Sequence, residues 1–88
     1  RLLPTYGDAA FSLAAFYELQ GKLRDGVFVM VDLLTADPYQ LDALLRLGEL
    51  LNATGMVREA RFAFERVLRY NPNDARARSA LGRLLSPA

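Results

Sequence analysis

The sequence predicts an all-α fold in which about five helices form antiparallel pairs stacked as a solenoid. Three observations carry this expectation. A single offset, the one that separates Pro38 from Pro72, relates six columns of matched residues, among them Gly21 and Gly55. Such a fixed period is the mark of a stacked-repeat architecture. Glycines and prolines punctuate the chain where helices must stop, and the segments between them alternate apolar and charged residues with helical spacing.

Taken in order, helices are expected near 7–20, 23–36, 40–54, 57–70 and 74–85. The first ends at Gly21 and the third at Gly55, positions suited to the left-handed residue that closes a helix. Pro38 and Pro72 fall between pairs, where a missing N–H is harmless and a helix cannot continue. Asn73 or Asp74 can cap the last helix by accepting bonds from its first free amides. Val27-Phe28-Val29-Met30-Val31 reads alone as a buried strand. Its counterpart one period on, Arg61-Phe62-Ala63-Phe64-Glu65, alternates as a helix, and the period assigns both segments to helices.

The other columns are Phe28 and Phe62; Leu13, Leu47 and Leu81; Tyr17, Leu51 and Leu85; and Ala14, Gly48 and Gly82. The last supplies a small residue where one helix of a pair crosses the other closely. Together these residues resemble the tetratricopeptide repeat, which has the same period and reads as a large residue, Leu-Gly, Tyr, then Ala-x₃-Phe and a closing Pro. The best match is Leu44, Leu47-Gly48, Leu51, Ala60, Phe64 and Pro72. The preceding repeat reads Ala10, Leu13-Ala14, Tyr17, Gly26, Met30 and Pro38, and departs at several places. The third stops after Arg78, Leu81-Gly82 and Leu85. About two and a half repeats are implied, near 7–40, 41–74 and 75–88, forming one domain over 1–88 within a longer chain. The resemblance also implies a right-handed superhelix.

Composition narrows the function. Hydrophobic residues make up 52% and charged residues 24% of the 88, with no cysteine and no histidine. Disulfides, thiolate or imidazole metal sites and the commonest general base are therefore absent. No glycine-rich phosphate loop or metal-ligand spacing appears, so neither catalysis nor a cofactor is expected. No apolar run reaches the roughly 20 residues of a membrane span. The net charge of +1 conceals an asymmetry: residues 1–54 carry four basic and seven acidic groups, residues 55–88 seven arginines and three acids. Seven arginines without an aromatic-interleaved basic motif do not make a nucleic-acid site, and none is expected.

What remains is a protein-binding scaffold. In the resembled family the first helix of each pair lines a concave groove that holds peptide segments. Column by column, the candidate lining is Phe11 and Ala15, then Asp42, Leu45, Arg46 and Glu49, then Arg76 and Arg83, with Asp8, Glu18, Asn52 and Ser79 beside them. Phe11 and Leu45 are expected to take an apolar anchor, and Arg46, Arg76 and Arg83 to pair with carboxylates of an acidic partner. Some family members grip a carboxylate terminus with lysines and asparagines. Phe11 and Ala15 stand in those places here, so that ligand is not expected.

Two features suggest homo-oligomers as the alternative. Val27 and Val31 replace the charged Arg61 and Glu65 of the next repeat, which turns a solvent-type face apolar. Either the Leu2-Leu3 segment folds over this face or a partner covers it. Phe16, in the column of Leu50 and Leu84, has no preceding repeat to pack against, and Leu81 and Leu85 lack a partner helix; further repeats flanking this segment in a longer chain are expected to cover these ends, ahead of self-assembly. Asp37-Pro38-Tyr39 followed by Leu41-Asp42-Ala43 also resembles the start of repeats in the helical activation domains of some bacterial transcription regulators. A regulatory role is therefore a further alternative.

Overall fold

A computed structural model describes residues 6–85. Five helices run α1 (Tyr6–Leu19), α2 (Leu23–Ala36), α3 (Leu41–Ala53), α4 (Val57–Tyr70) and α5 (Ala75–Leu85), with no strand among the described residues. The apolar run Val27–Val31 lies inside α2, as its helical counterpart in α4 requires. Leu2 and Leu3 lie outside the described residues, as does the side chain of Leu85.

Each turn between paired helices is built alike. After α1 the Gly21 N–H bonds the Glu18 carbonyl at 3.0 Å and the Lys22 N–H bonds the Tyr17 carbonyl at 2.8 Å. After α3 the Gly55 N–H bonds Asn52 at 3.0 Å and the Met56 N–H bonds Leu51 at 2.9 Å. This double closure satisfies the last free carbonyls and needs a left-handed residue between them. Gly21 (φ 74°) and Gly55 (φ 85°) are the positive-φ residues among those described. Between pairs the chain also repeats itself: the Asp37 and Asn71 amides close α2 and α4 onto the Leu33 and Val67 carbonyls.

The helices are capped unequally. Asp74 is buried, and its Oδ1 accepts the Ala77 N–H at 3.0 Å, the expected cap of α5. Its counterpart Gln40, ahead of α3, makes no side-chain capping bond.

Packing follows the small-residue column. A Cβ built on Gly48 would lie 2.6 Å from Phe64 Cε1, so α4 lays its aromatic ring directly on the α3 backbone. One repeat earlier the same crossing pairs Ala14 with Met30, both fully buried. A Cβ at Gly82 would meet nothing within 4 Å, because no described helix crosses α5 there. Two core clusters result. One gathers Ala10, Ala14, Met30, Leu33, Ala43 and Leu50 between α1, α2 and α3. The other gathers Leu44, Leu45, Leu51, Ala60, Phe64, Val67, Ala77 and Ala80 between α3, α4 and α5. Val27, Leu34 and Leu47 touch both and join them.

The same substitution has opposite effects along this column. Gly48→Ala should cost about 1–3 kcal/mol by overpacking against Phe64. Gly82→Ala should leave stability unchanged or raise it by up to about 1 kcal/mol through helix propensity. Urea denaturation of the two variants checks this. Asp74→Ala should cost about 0.5–2 kcal/mol for the lost cap, whereas Gln40→Ala should lie within the error of the same measurement.

Candidate functional site: the concave groove

Because helices one repeat apart take the same orientation, α1, α3 and α5 present equivalent columns to one side. Positions 8, 42 and 76 read Asp, Asp and Arg; positions 11, 45 and 79 read Phe, Leu and Ser; positions 15, 49 and 83 read Ala, Glu and Arg. A cavity of about 330 Å³ opens on this side, lined by Phe11, Asp42, Leu45, Arg46, Glu49 and Arg76. Six of the eight groove residues expected from the sequence thus meet around one cavity. Ala15 and Arg83 are exposed on the same faces and lie outside its wall.

The apolar floor is shallower than the sequence suggests. Leu45 is only 5% exposed and belongs to the α3–α5 core cluster, so it offers the groove a surface but no projecting anchor. Phe11 is half-buried and packs against the other cluster. Any apolar group entering the groove rests on these two side chains from above.

Two of the three groove arginines already have carboxylate partners. Arg46 Nη1 donates to Glu18 Oε2 at 3.0 Å, tying α3 to α1, and its Nε lies 3.9 Å from Glu49 Oε1. Arg76 Nη2 donates to Asp42 Oδ1 at 3.1 Å, tying α5 to α3, and lies 3.6 Å from Asp74 Oδ2. The Asp42 hydrogen bond is the main cause holding the Arg76 guanidinium above its ordinary pKa, with the Asp74 and Asp42 charges adding to it. Arg83 makes no ion pair with any described residue. Among the described residues the groove is therefore crossed by a part-buried bridge, Arg46–Glu18, and an exposed one, Arg76–Asp42, and Arg83 stands without an ion pair at its α5 end. An exposed pair such as Arg76–Asp42 contributes little to stability.

The Val27 and Val31 face is divided. Val27 is half-buried between the two core clusters, while Val31 is 45% exposed. Val31 lines a second cavity of about 270 Å³ with Leu34, Thr35, Pro38, Leu44, Leu47 and Arg66. The two valines thus do not form one continuous exposed face.

One arrangement is absent from the sequence reading. The Tyr6 hydroxyl donates to the Asp32 carboxylate across the α1–α2 pair, and this bond raises the Tyr6 pKa. The sequence signal for it is weak: both positions flank the Gly21 turn, but Tyr6 stands about one helical turn farther from it than Asp32. Phe28 and Phe62, whose repetition supports the period, are 70% and 65% exposed on the outer faces of α2 and α4.

Among the described residues no group of three or more His, Cys, Asp or Glu is placed to hold a metal ion, and no helix is long and apolar enough to cross a membrane. A family model described as tetratricopeptide repeat matches residues 19–84, from the end of α1 to the last turn of α5. No curated protein matches the chain.

The ion-pair bridges make a measurable claim. Glu18→Gln should change unfolding stability by no more than about 1 kcal/mol, and the difference from the parent chain should shrink further as salt screens the pair.

Proposed function

Since the chain belongs to the tetratricopeptide repeat family, whose members mediate protein–protein interaction, we propose that it is a non-catalytic scaffold holding a peptide or protein segment in its concave groove. The observation that supports this reading is the convergence of Phe11, Asp42, Leu45, Arg46, Glu49 and Arg76 on one open cavity along three parallel helix faces. Those faces repeat in register, which suits a ligand that is itself extended or helical and crosses several helices in turn.

The chemistry of the lining describes the ligand. An apolar side chain fits over Phe11 and Leu45 in the middle. Arg83, lacking a carboxylate partner within the described residues, favours an acidic group toward α5. Glu49, 63% exposed at its side chain and only loosely paired with Arg46, favours a basic or hydrogen-bond-donating group beside it. Catalysis has no support in the groove, which contains neither histidine nor cysteine.

Peptides selected from a random library on the immobilised chain test the proposal. Phe11→Glu and Arg83→Glu should each weaken the selected peptides about tenfold or more in fluorescence anisotropy. Arg58→Glu, an exposed change on α4, should not. Peptides indifferent to both groove changes would place the binding surface elsewhere. Leu45 is a poor choice for such a test, since a charge there would disrupt the core.

A further inference from the structure

The outer face of α1, away from the groove, is an exposed apolar surface. Of its 14 residues only Asp8 and Glu18 are charged, and both belong to the groove side, where Glu18 meets Arg46 and Asp8 shares the column of Asp42. A helix apolar on every other side is normally buried. Yet only Ala10 and Ala14 of α1 are buried, while Tyr6, Leu13 and Phe16 are 53%, 42% and 54% exposed. Phe28 of α2, at 70% exposure, extends the patch across an apolar cavity of about 340 Å³ shared with Tyr6, Ala9, Leu13 and Val29. The polar atoms at its edge, those of Tyr6 and Asp32, are satisfied by the bond between them.

The protein itself shows what this face does elsewhere. Ala9, Leu13 and Phe16 stand one repeat ahead of Ala43, Leu47 and Leu50, the face by which α3 packs into the cluster it shares with α2. Ala43 is fully buried there and Leu50 is 2% exposed. The α1 face is thus a helix-docking surface of the same design with no described helix upon it.

We propose that a second copy of this chain covers it, with α1 packed antiparallel against α1 of the partner about a two-fold axis. The size pattern is self-complementary. An axis passing between Ser12 and Leu13 sets the large Phe16 over the small Ala9 of the partner subunit and brings the two Leu13 side chains together. An isologous pair demands this reciprocity. Neither charged residue of α1 lies on the contact face, so pairing the helix with its own copy meets no like-charge repulsion. With aromatic side chains of about 150–250 Å², the exposed parts of Tyr6, Leu13, Phe16 and Phe28 amount to roughly 450 Å² per copy. The total, about 900 Å² over both copies, lies just below the bound for a stable specific interface and in the range of weak, transient contacts. The dimer is accordingly a weak, reversible one. The groove faces away from the interface and stays open.

Sedimentation equilibrium of the chain from about 1 µM to 1 mM at low and high salt tests this. The expected mass rises from 9.8 kDa to twice that value, with little response to salt because the contact is apolar. Phe16→Glu and Leu13→Glu, both on exposed positions and checked for unchanged helicity by circular dichroism, should each raise the dissociation constant about a hundredfold. Arg58→Glu should leave it unchanged. A monomer throughout, a dimer indifferent to both glutamates, or one that dissolves with salt through pairing of the acidic and basic halves would each overturn the proposal. Peptide binding in the groove is read separately, so either result leaves that question intact.

Discussion

The architecture depends on the crossing of paired helices at a residue with little or no side chain. At Gly48 the α4 ring of Phe64 occupies the space a Cβ would need, and the close approach fixes the tilt of the pair. Helix packing admits few crossing angles because ridges of one helix must enter grooves of the other. The first pair has Ala14 and Met30 at the same two positions, both fully buried in one cluster: the backbone-side residue gains a methyl group and the side chain opposite it is slimmer. The pair is thereby a unit of fixed shape, and stacking such units sets α1, α3 and α5 side by side. The groove is a consequence of that geometry: its width is decided in the core, and its chemistry is left to the outward positions.

Those outward positions differ from repeat to repeat in a way the core does not permit. The column that reads Asp8, Asp42 and Arg76 changes sign along the solenoid, and so does the column of Ala15, Glu49 and Arg83. One of the ion pairs that bridge neighbouring helices arises from this alternation, since Asp42 and Arg76 occupy one column and meet at 3.1 Å; the other joins Arg46 and Glu18 from different columns. A solenoid tolerates such variation because each repeat contacts only its neighbours. On the proposed function, specificity for a partner would reside in a few exposed side chains on an otherwise repetitive frame.

The fold was legible because its determinants are local and repeated. Gly21 and Gly55 announce left-handed turns, the prolines mark the gaps between pairs, and the period resolves the apolar run of α2 that would otherwise read as a strand. The groove lining could be drawn from the same register, which brings Phe11, Asp42, Leu45, Arg46, Glu49 and Arg76 to one cavity. The pairing state of these residues was not legible. Whether Arg46 is free or bound to Glu18 depends on side-chain reach between helices, which a column assignment does not specify. Nor does periodicity report depth: Leu45 and Val27 both look outward-facing by column and are largely used by the core. The apolar face of α1 was visible through Phe16 alone; its continuity with Leu13 and Phe28 required the α1–α2 pair in three dimensions.

The central claim, that the groove side of α1, α3 and α5 is the binding surface, is tested most directly by nuclear magnetic resonance. Amide shifts of the labelled chain would be followed during titration with a peptide it selects. The account predicts perturbations concentrated at Phe11, Asp42, Glu49, Arg76 and Arg83. Perturbations confined to the outer faces of α2 and α4, around Phe28, Phe62 and Arg69, would contradict it.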